Sequence, residues 1–191
     1  MGEDPIPLEP LGVPDPPPLP GRVRIDGTFD DAVDALAADL LTCALDAVEA
    51  RQQFSLAISG DRVLEPLWLR CMLDPDLRAF PWSRTHVRVL GEVDRLWLNE
   101  ALVTPAGIPP AQVHVGPASV GPASAGSGAD VDCVVASGAT AAAVMGGGTA
   151  PQQATRLLML TEAASLDATL RHVEANPAPW AQVASRLCWY L

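Results

Sequence analysis

An α/β fold, with a doubly wound, mostly parallel sheet flanked by helices, is what this sequence predicts, and three features predict it. Short runs such as FSLAIS (54–59) and VDCVVAS (131–137) are almost continuously apolar, as strands covered on both faces are. Between such runs lie stretches whose apolar residues recur at helical spacing. Strands that alternate with helices pair in parallel, because each crossover helix returns the chain to the same end of the sheet. The chain has 191 residues, 49% of them hydrophobic, which is enough for one sizeable core and one domain.

Taken in order, the chain opens on a leader, residues 1–21, with eight prolines in its first 20 positions. That density removes backbone donors and fixes φ too often for helix or ladder pairing, so the leader is expected to be extended and disordered, with no fixed contact with the domain at 22–191. RVRI (22–25) reads as a short strand. The stretch 28–53 reads as a helix: Thr28 or Asp30 can cap it, acidic residues crowd its first turn, and Val33, Leu36, Leu40, Ala44, Ala47 and Val48 share a face. FSLAIS is the next strand and 64–73 the helix behind it. THVRVL (85–90) is a strand, RLWLNEALV (95–103) a helix, and VDCVVAS a further strand. The segment 116–130, rich in Gly, Ser, Ala and Pro, reads as a flexible loop. ATRLLML (154–160) is a strand, 162–176 a helix, and SRLCWYL (185–191) a last strand. The five tryptophans, 68, 82, 97, 180 and 189, are assigned to the core or its rim.

Composition excludes several functions. With a formal charge of −11 and no basic run, the chain does not suit sequence-independent nucleic-acid binding. Cys43, Cys71, Cys133 and Cys188 lack any C-x-x-C spacing, so no metal site is signalled and buried free thiols are expected. No apolar stretch approaches the roughly 20 residues that span a bilayer, and the N-terminus has neither a basic nor an apolar signal region, so the cytoplasm is the expected compartment. No cofactor motif is present: MGGGTAP lacks the Lys and the spacing of a P-loop, and no G-x-S-x-G elbow occurs.

The words DALAADL, FSLAISG, FPWSRTHVRVLGE, LNEALV and IPPAQVH, in this order and spacing, resemble the 6-phosphogluconolactonase family of the sugar-phosphate isomerase and lactonase group. The resemblance covers 22–191 and is densest over 29–114. It implies that family's fold and a sugar-phosphate ligand, with site residues at three loops. A typical member reads Ser-Gly-Gly-Ser-Thr-Pro at the phosphate loop. Here Ser59 and Gly60 match, Asp61 replaces the second Gly, and Pro66 follows after two extra residues. A carboxylate within about 5 Å of a phosphate costs on the order of 1 to 3 kcal/mol at an intermediate dielectric unless Arg62 is placed to neutralise it, so a weakened or abolished anion site is expected.

The second loop, GEVDR, keeps Gly91, the acid Glu92 and Arg95 against the family's Gly-Asp-Glu-Arg, with one residue more. Arg95 suits a phosphate oxyanion, and it equally suits a solvated helix start. In the third loop the family's Asp-Gly-His-Thr-Ala-Ser reduces to Ala139 and Thr140, with Ala141, Ala142 and Gly146 following. The missing His is the residue expected to act as general base on the water that attacks the lactone carbonyl. Of the remaining histidines, 86, 114 and 172, only His114 is a weak substitute. Arg156 matches the family's Arg before its later Thr-containing strand.

Three functions follow from this reading. The first is a 6-phosphogluconolactonase-like protein of carbohydrate metabolism, in the family's pentose phosphate context, with weak or lost lactone hydrolysis. The second is a non-catalytic interaction protein on the same scaffold, with a sugar-phosphate dehydrogenase as possible protein partner through the Pro-rich leader. The third is an enzyme with a rebuilt site around Glu92, Arg95 and His114.

Overall fold

A computed structural model describes residues 15–91, 93–115, 131–140, 143, 145 and 154–191. The first 14 leader residues, the segment 116–130, Glu92, Ala141, Ala142 and Gly146 lie outside the described residues. The strands are β1 (Arg22–Arg24), β2 (Phe54–Ser59), β3 (Thr85–Leu90), β4 (Val113–Val115), β5 (Cys133–Ser137), β6 (Arg156–Leu160) and β7 (Leu187–Tyr190). The helices are α1 (Phe29–Arg51), α2 (Glu65–Leu73), α3 (Arg95–Leu98), α4 (Ala163–Ala175) and α5 (Pro177–Val183).

All seven strands join one sheet in the order β1-β7-β6-β5-β2-β3-β4, and every described pairing is parallel. The sheet is thus wholly parallel where "mostly" was expected. From β2 the chain moves outward through β3 to the β4 edge, then returns to place β5 on the other side of β2. That reversal is a topological switch point, and in open α/β sheets it opens a crevice at the carboxyl ends of the two central strands.

Two apolar layers cover the faces. On one, Leu56 and Ile58 of β2, Val87 and Val89 of β3, Val135 of β5 and Leu160 of β6 pack against α1, α2 and α3. On the other, Val134, Ala136, Met159 and Trp189 pack against Val173 of α4 and Trp180 and Val183 of α5. Both periodicities in the sequence come from this arrangement, since each covered strand buries residues on both sides.

The long helix α1 is held at both ends. Thr28 is its cap: its Oγ1 accepts the Asp31 N–H at 3.1 Å and donates to Asp31 Oδ2 at 2.8 Å. At the other end Arg51 pairs with the buried Asp132 just before β5, and Asp132 Oδ2 also accepts the Ser55 N–H at 2.7 Å. Midway, the Tyr190 hydroxyl donates to Asp39 Oδ2 at 2.5 Å, and burial together with that bond raises the phenol pKa above its ordinary range. All four cysteines are free and buried, and burial pushes Cys71 up to about 12.

Several elements depart from the sequence reading. After α3 the backbone widens into a π turn, Asn99–Val103, where Thr104 N–H reaches Asn99 O at 2.9 Å. Strand β4 and helix α5 are additional, β4 being too short for periodicity to mark. The end of the leader also differs. Leu19 is buried in the second apolar layer, the Pro20 carbonyl accepts the Trp189 indole N–H at 2.8 Å, and Gly21 turns into β1 at φ 90°. The expectation of a leader without fixed contact is therefore corrected for residues 19–21, because an apolar side chain there has an apolar layer within reach.

Candidate functional site

The switch point places the end of β2 beside the end of β5, with Ile58 in register with Val135. Ser59 and Ser137, the last residues of those strands, are both buried, and the Ser137 N–H donates to Ser59 Oγ at 3.2 Å. Beyond Ser137 the chain makes a single tight turn, Gly138–Thr140, where the Thr140 N–H donates to Ser137 Oγ at 3.2 Å. This short turn sets the Thr140 side chain over the mouth of the crevice.

Asp61 fills that mouth. Its Oδ2 accepts the Ser137 hydroxyl at 2.8 Å and the Thr140 hydroxyl at 2.6 Å. A hydroxyl carries one proton, and the carboxylate oxygen is the shortest-range acceptor of each, closer than the 3.1 Å that separates the two hydroxyl oxygens. Where a phosphate would need donors, the protein supplies its own anion. The backbone of Asp61 is extended (φ −91°, ψ 137°), so no left-handed conformation demands glycine there. The two extra residues before Pro66 are taken up in a 3₁₀ turn, Arg62–Leu64, that leads into α2.

At the rim, Arg62 lies 3.8 Å from Asp94 Oδ2 and its guanidinium carbon is 6.0 Å from the centre of the Trp97 ring, while Trp97 Nε1–H donates to Glu65 Oε2 at 3.2 Å. The only guanidinium next to Asp61 in sequence is thus engaged with the α3 end of the rim. Asp94 also caps α3, accepting the Leu96 and Trp97 N–H groups at 2.9 and 3.2 Å. Gly91 ends β3 at φ 80°, a left-handed conformation that favours glycine, and follows Leu90, the register partner of Ser59.

The sequence-predicted residues divide as follows. Ser59, Gly60, Asp61, Gly91 and Thr140 meet at the crevice. Arg95 opens α3 and points its guanidinium to the Val115 carbonyl at 3.5 Å, beside a cleft of about 290 Å³ lined by Leu98, Asn99, Val103 and Val113. His114 sits on β4, in register with Arg88 of β3 and two strands from β2. At about 4.8 Å per strand that offset is close to 10 Å, beyond hydrogen-bond reach of the crevice. Arg156 begins β6 in register with Cys133, whereas Ser137 pairs with Leu160, so Arg156 stands at the opposite end of the sheet. Glu92 lies outside the described residues. Ser137 is the residue of this candidate site that sequence reasoning missed; its signal is a polar side chain closing an otherwise apolar buried strand. Among the described residues no group of three His, Cys, Asp or Glu side chains could hold a metal ion, and no helix is long and apolar enough to cross a membrane.

No protein-family model matches the chain, and no curated protein sequence matches it significantly. Solved structures do. The 6-phosphogluconolactonase of Thermotoga maritima superposes with a TM-score of 0.66 at 15% identity, over 88% of this chain and 98% of that one. A monomeric glucosamine-6-phosphate deaminase of the NagB superfamily gives 0.64 at 10% identity, over 88% and 95%. The 6-phosphogluconolactonase of Trypanosoma brucei gives 0.61 at 11% identity, over 91% and 96%. The chain therefore has the 6-phosphogluconolactonase fold that its sequence resembles, in a strongly diverged form.

Proposed function

We propose that this protein is a diverged 6-phosphogluconolactonase-like protein of carbohydrate metabolism whose crevice no longer supports lactone hydrolysis at an enzyme's rate. The carrying observation is the Asp61 carboxylate in hydrogen bonds with Ser137 and Thr140, which takes the donors and puts a negative charge where a sugar phosphate would be recognised. The turn Gly138–Thr140 supports the same reading, because it offers Ala139 where a water-activating imidazole is expected. His114 does not supply the base from two strands away. What remains is a scaffold suited to binding, and a cytoplasmic sugar-phosphate dehydrogenase is the kind of protein partner that fits this reading.

The test is hydrolysis of 6-phosphogluconolactone by the purified full chain, followed against the spontaneous reaction. The expected rate is the spontaneous one, or below an ordinary enzyme's by the ~10²- to 10⁴-fold that a general base supplies. Turnover at an ordinary enzyme's level, lost in His114→Ala, would overturn the proposal in favour of a rebuilt site.

A further inference from the structure

Away from the crevice, three groups able to carry positive charge are gathered on one face of the sheet. Along β3, Val87 and Val89 point into the layer of α1 and α2, so His86 and Arg88 point to the other face. Register pairs Arg88 with His114 of β4, which places His114 on that same face. The His86 and His114 rings are parallel, at 4° with centroids 6.2 Å apart, and Arg88, the register partner of His114, stands two residues along β3 from His86. His86 and Arg88 are half-buried and His114 is exposed.

The cluster is uncompensated among the described residues. None of the four ion pairs includes Arg88, although the chain holds 23 acidic residues against 12 Lys and Arg. On the β2 side the facing positions are Ser55, partner of His86, and Ala57, partner of Arg88. Asp132, which accepts the Ser55 N–H, is already paired with Arg51. The apolar layer of α4 and α5 on this face draws on β5, β6 and β7 and, from β3, on Leu90 at its C-terminal end; it includes none of His86, Arg88 and His114. Partial desolvation lowers the His114 pKa, and the neighbouring His86 and Arg88 lower it further. Protonating His114 is therefore opposed by its surroundings, and a bound anion would relieve that opposition.

We propose that His86, Arg88 and His114 form a binding site for a small tetrahedral oxyanion, the phosphate group of a metabolite or the free ion. Arg88 supplies a permanent guanidinium with parallel donors, and each imidazolium adds one charge-assisted hydrogen bond. A small anion fits better than a nucleic acid, since a net charge of −11 repels a polyanion over the whole surface while a single oxyanion meets only the local cluster. The site is independent of the crevice at the strand ends and of whether that crevice binds anything.

The chain contains three histidines, and the third, His172 of α4, packs edge-on to Trp180 of α5 and serves as an internal reference. The experiment is a proton NMR titration of the histidine ring signals in the full chain, from pH 5 to 8, with sulfate against chloride at matched ionic strength. Sulfate keeps its charge throughout this range, so any pH dependence belongs to the protein. Saturable shifts of His86 and His114, with both apparent pKa values raised by sulfate and His172 unmoved, are expected. Affinity should fall as pH rises and the imidazolium charge is lost. Arg88→Gln should weaken binding by about tenfold or more, and the exposed His114→Gln, which leaves the fold intact, should weaken it at low pH only. Repeating the titration with inorganic phosphate and with glycerol phosphate identifies the source: equal affinity points to the free ion, tighter binding of the ester to a metabolite. Equal movement of all three histidines, no movement of His86 and His114, or full retention of binding in Arg88→Gln would overturn the proposal.

Discussion

At Asp61 a single residue changes what the crevice can hold. Its carboxylate accepts both hydroxyl protons that the third loop can offer, at 2.8 and 2.6 Å, so Asp61→Gly would free Ser137 and Thr140 as donors and remove the charge. Phosphate or 6-phosphogluconate is expected to bind this variant more tightly than the parent, by about tenfold for each 1.4 kcal/mol of repulsion removed, with a gain that shrinks as salt screens the charges. Calorimetric titration at low and high salt checks this; equal affinity of the two proteins would mean that the 3₁₀ turn at Arg62–Leu64 has already moved the loop amides out of alignment. Gly138 is the second decisive residue. A Cβ there would lie 2.5 Å from Thr161 Oγ1, 2.8 Å from Thr161 Cγ2 and 2.9 Å from Thr169 Oγ1. Gly138→Ala should therefore cost about 1 to 3 kcal/mol by overpacking. Thr161→Ala in the same chain should recover part of it, since it removes two of the three obstructing atoms and the Thr161 hydroxyl has no hydrogen-bond partner in the described structure. Urea denaturation of the three variants measures both; additive losses would contradict the argument. The sequence exposes Asp61 as a departure from the family pattern, yet its acceptor role depends on where Ser137 and Thr140 point, which no local pattern encodes.

Among the elements, α1 shows how a helix is tied to a distant strand. Its apolar stripe is legible because Val33, Leu36, Leu40 and Ala44 recur at helical spacing and all are buried. Its C-terminal anchor is not legible, because Arg51 and Asp132 are 81 positions apart in the numbering and only the fold brings them together. The Asp132 side chain is 6% exposed, so Arg51→Ala would leave a buried carboxylate with the Ser55 N–H as its remaining hydrogen-bond donor. The Arg51 side chain is 41% exposed, which moderates the effect through solvent screening. A loss of about 1 to 2 kcal/mol is expected, above the few tenths typical of a surface pair. The midpoint of urea unfolding reads it, and a change within a few tenths would show that water replaces the guanidinium. The strands tell the same story: β2, β5, β6 and β7 declare themselves by apolar runs and β3 by alternation, whereas β4 has three residues and acquires strand character only by pairing with β3.

For the molecule as a whole, the leader is part of the fold at its last residues. Leu19 adds to the layer of Trp180 and Trp189, and the Pro20 carbonyl accepts the indole N–H of Trp189, a side chain buried at 0% exposure. Deleting residues 1–20 removes a buried leucine and leaves that N–H without its acceptor, each worth about 1 to 3 kcal/mol. In a domain of this size 1 kcal/mol moves the melting temperature by about 2 to 4 °C, so a drop of roughly 5 °C or more is expected by calorimetry. A drop below about 2 °C would show that the contact contributes nothing. By itself the sequence determined the class of fold, the order of nearly all its elements and the loops at which the resemblance breaks, because alternation, helical spacing and capping are local properties that hydrophobic burial reads directly. The tertiary structure alone decided which of those loops meet. Asp61 finds its partners 76 and 79 positions away, while Arg156 and His114, equally marked by resemblance, fall at the far end and on the outer strand. Strand order and register settle such meetings, and they depend on the packing of the whole sheet rather than on any neighbouring residues.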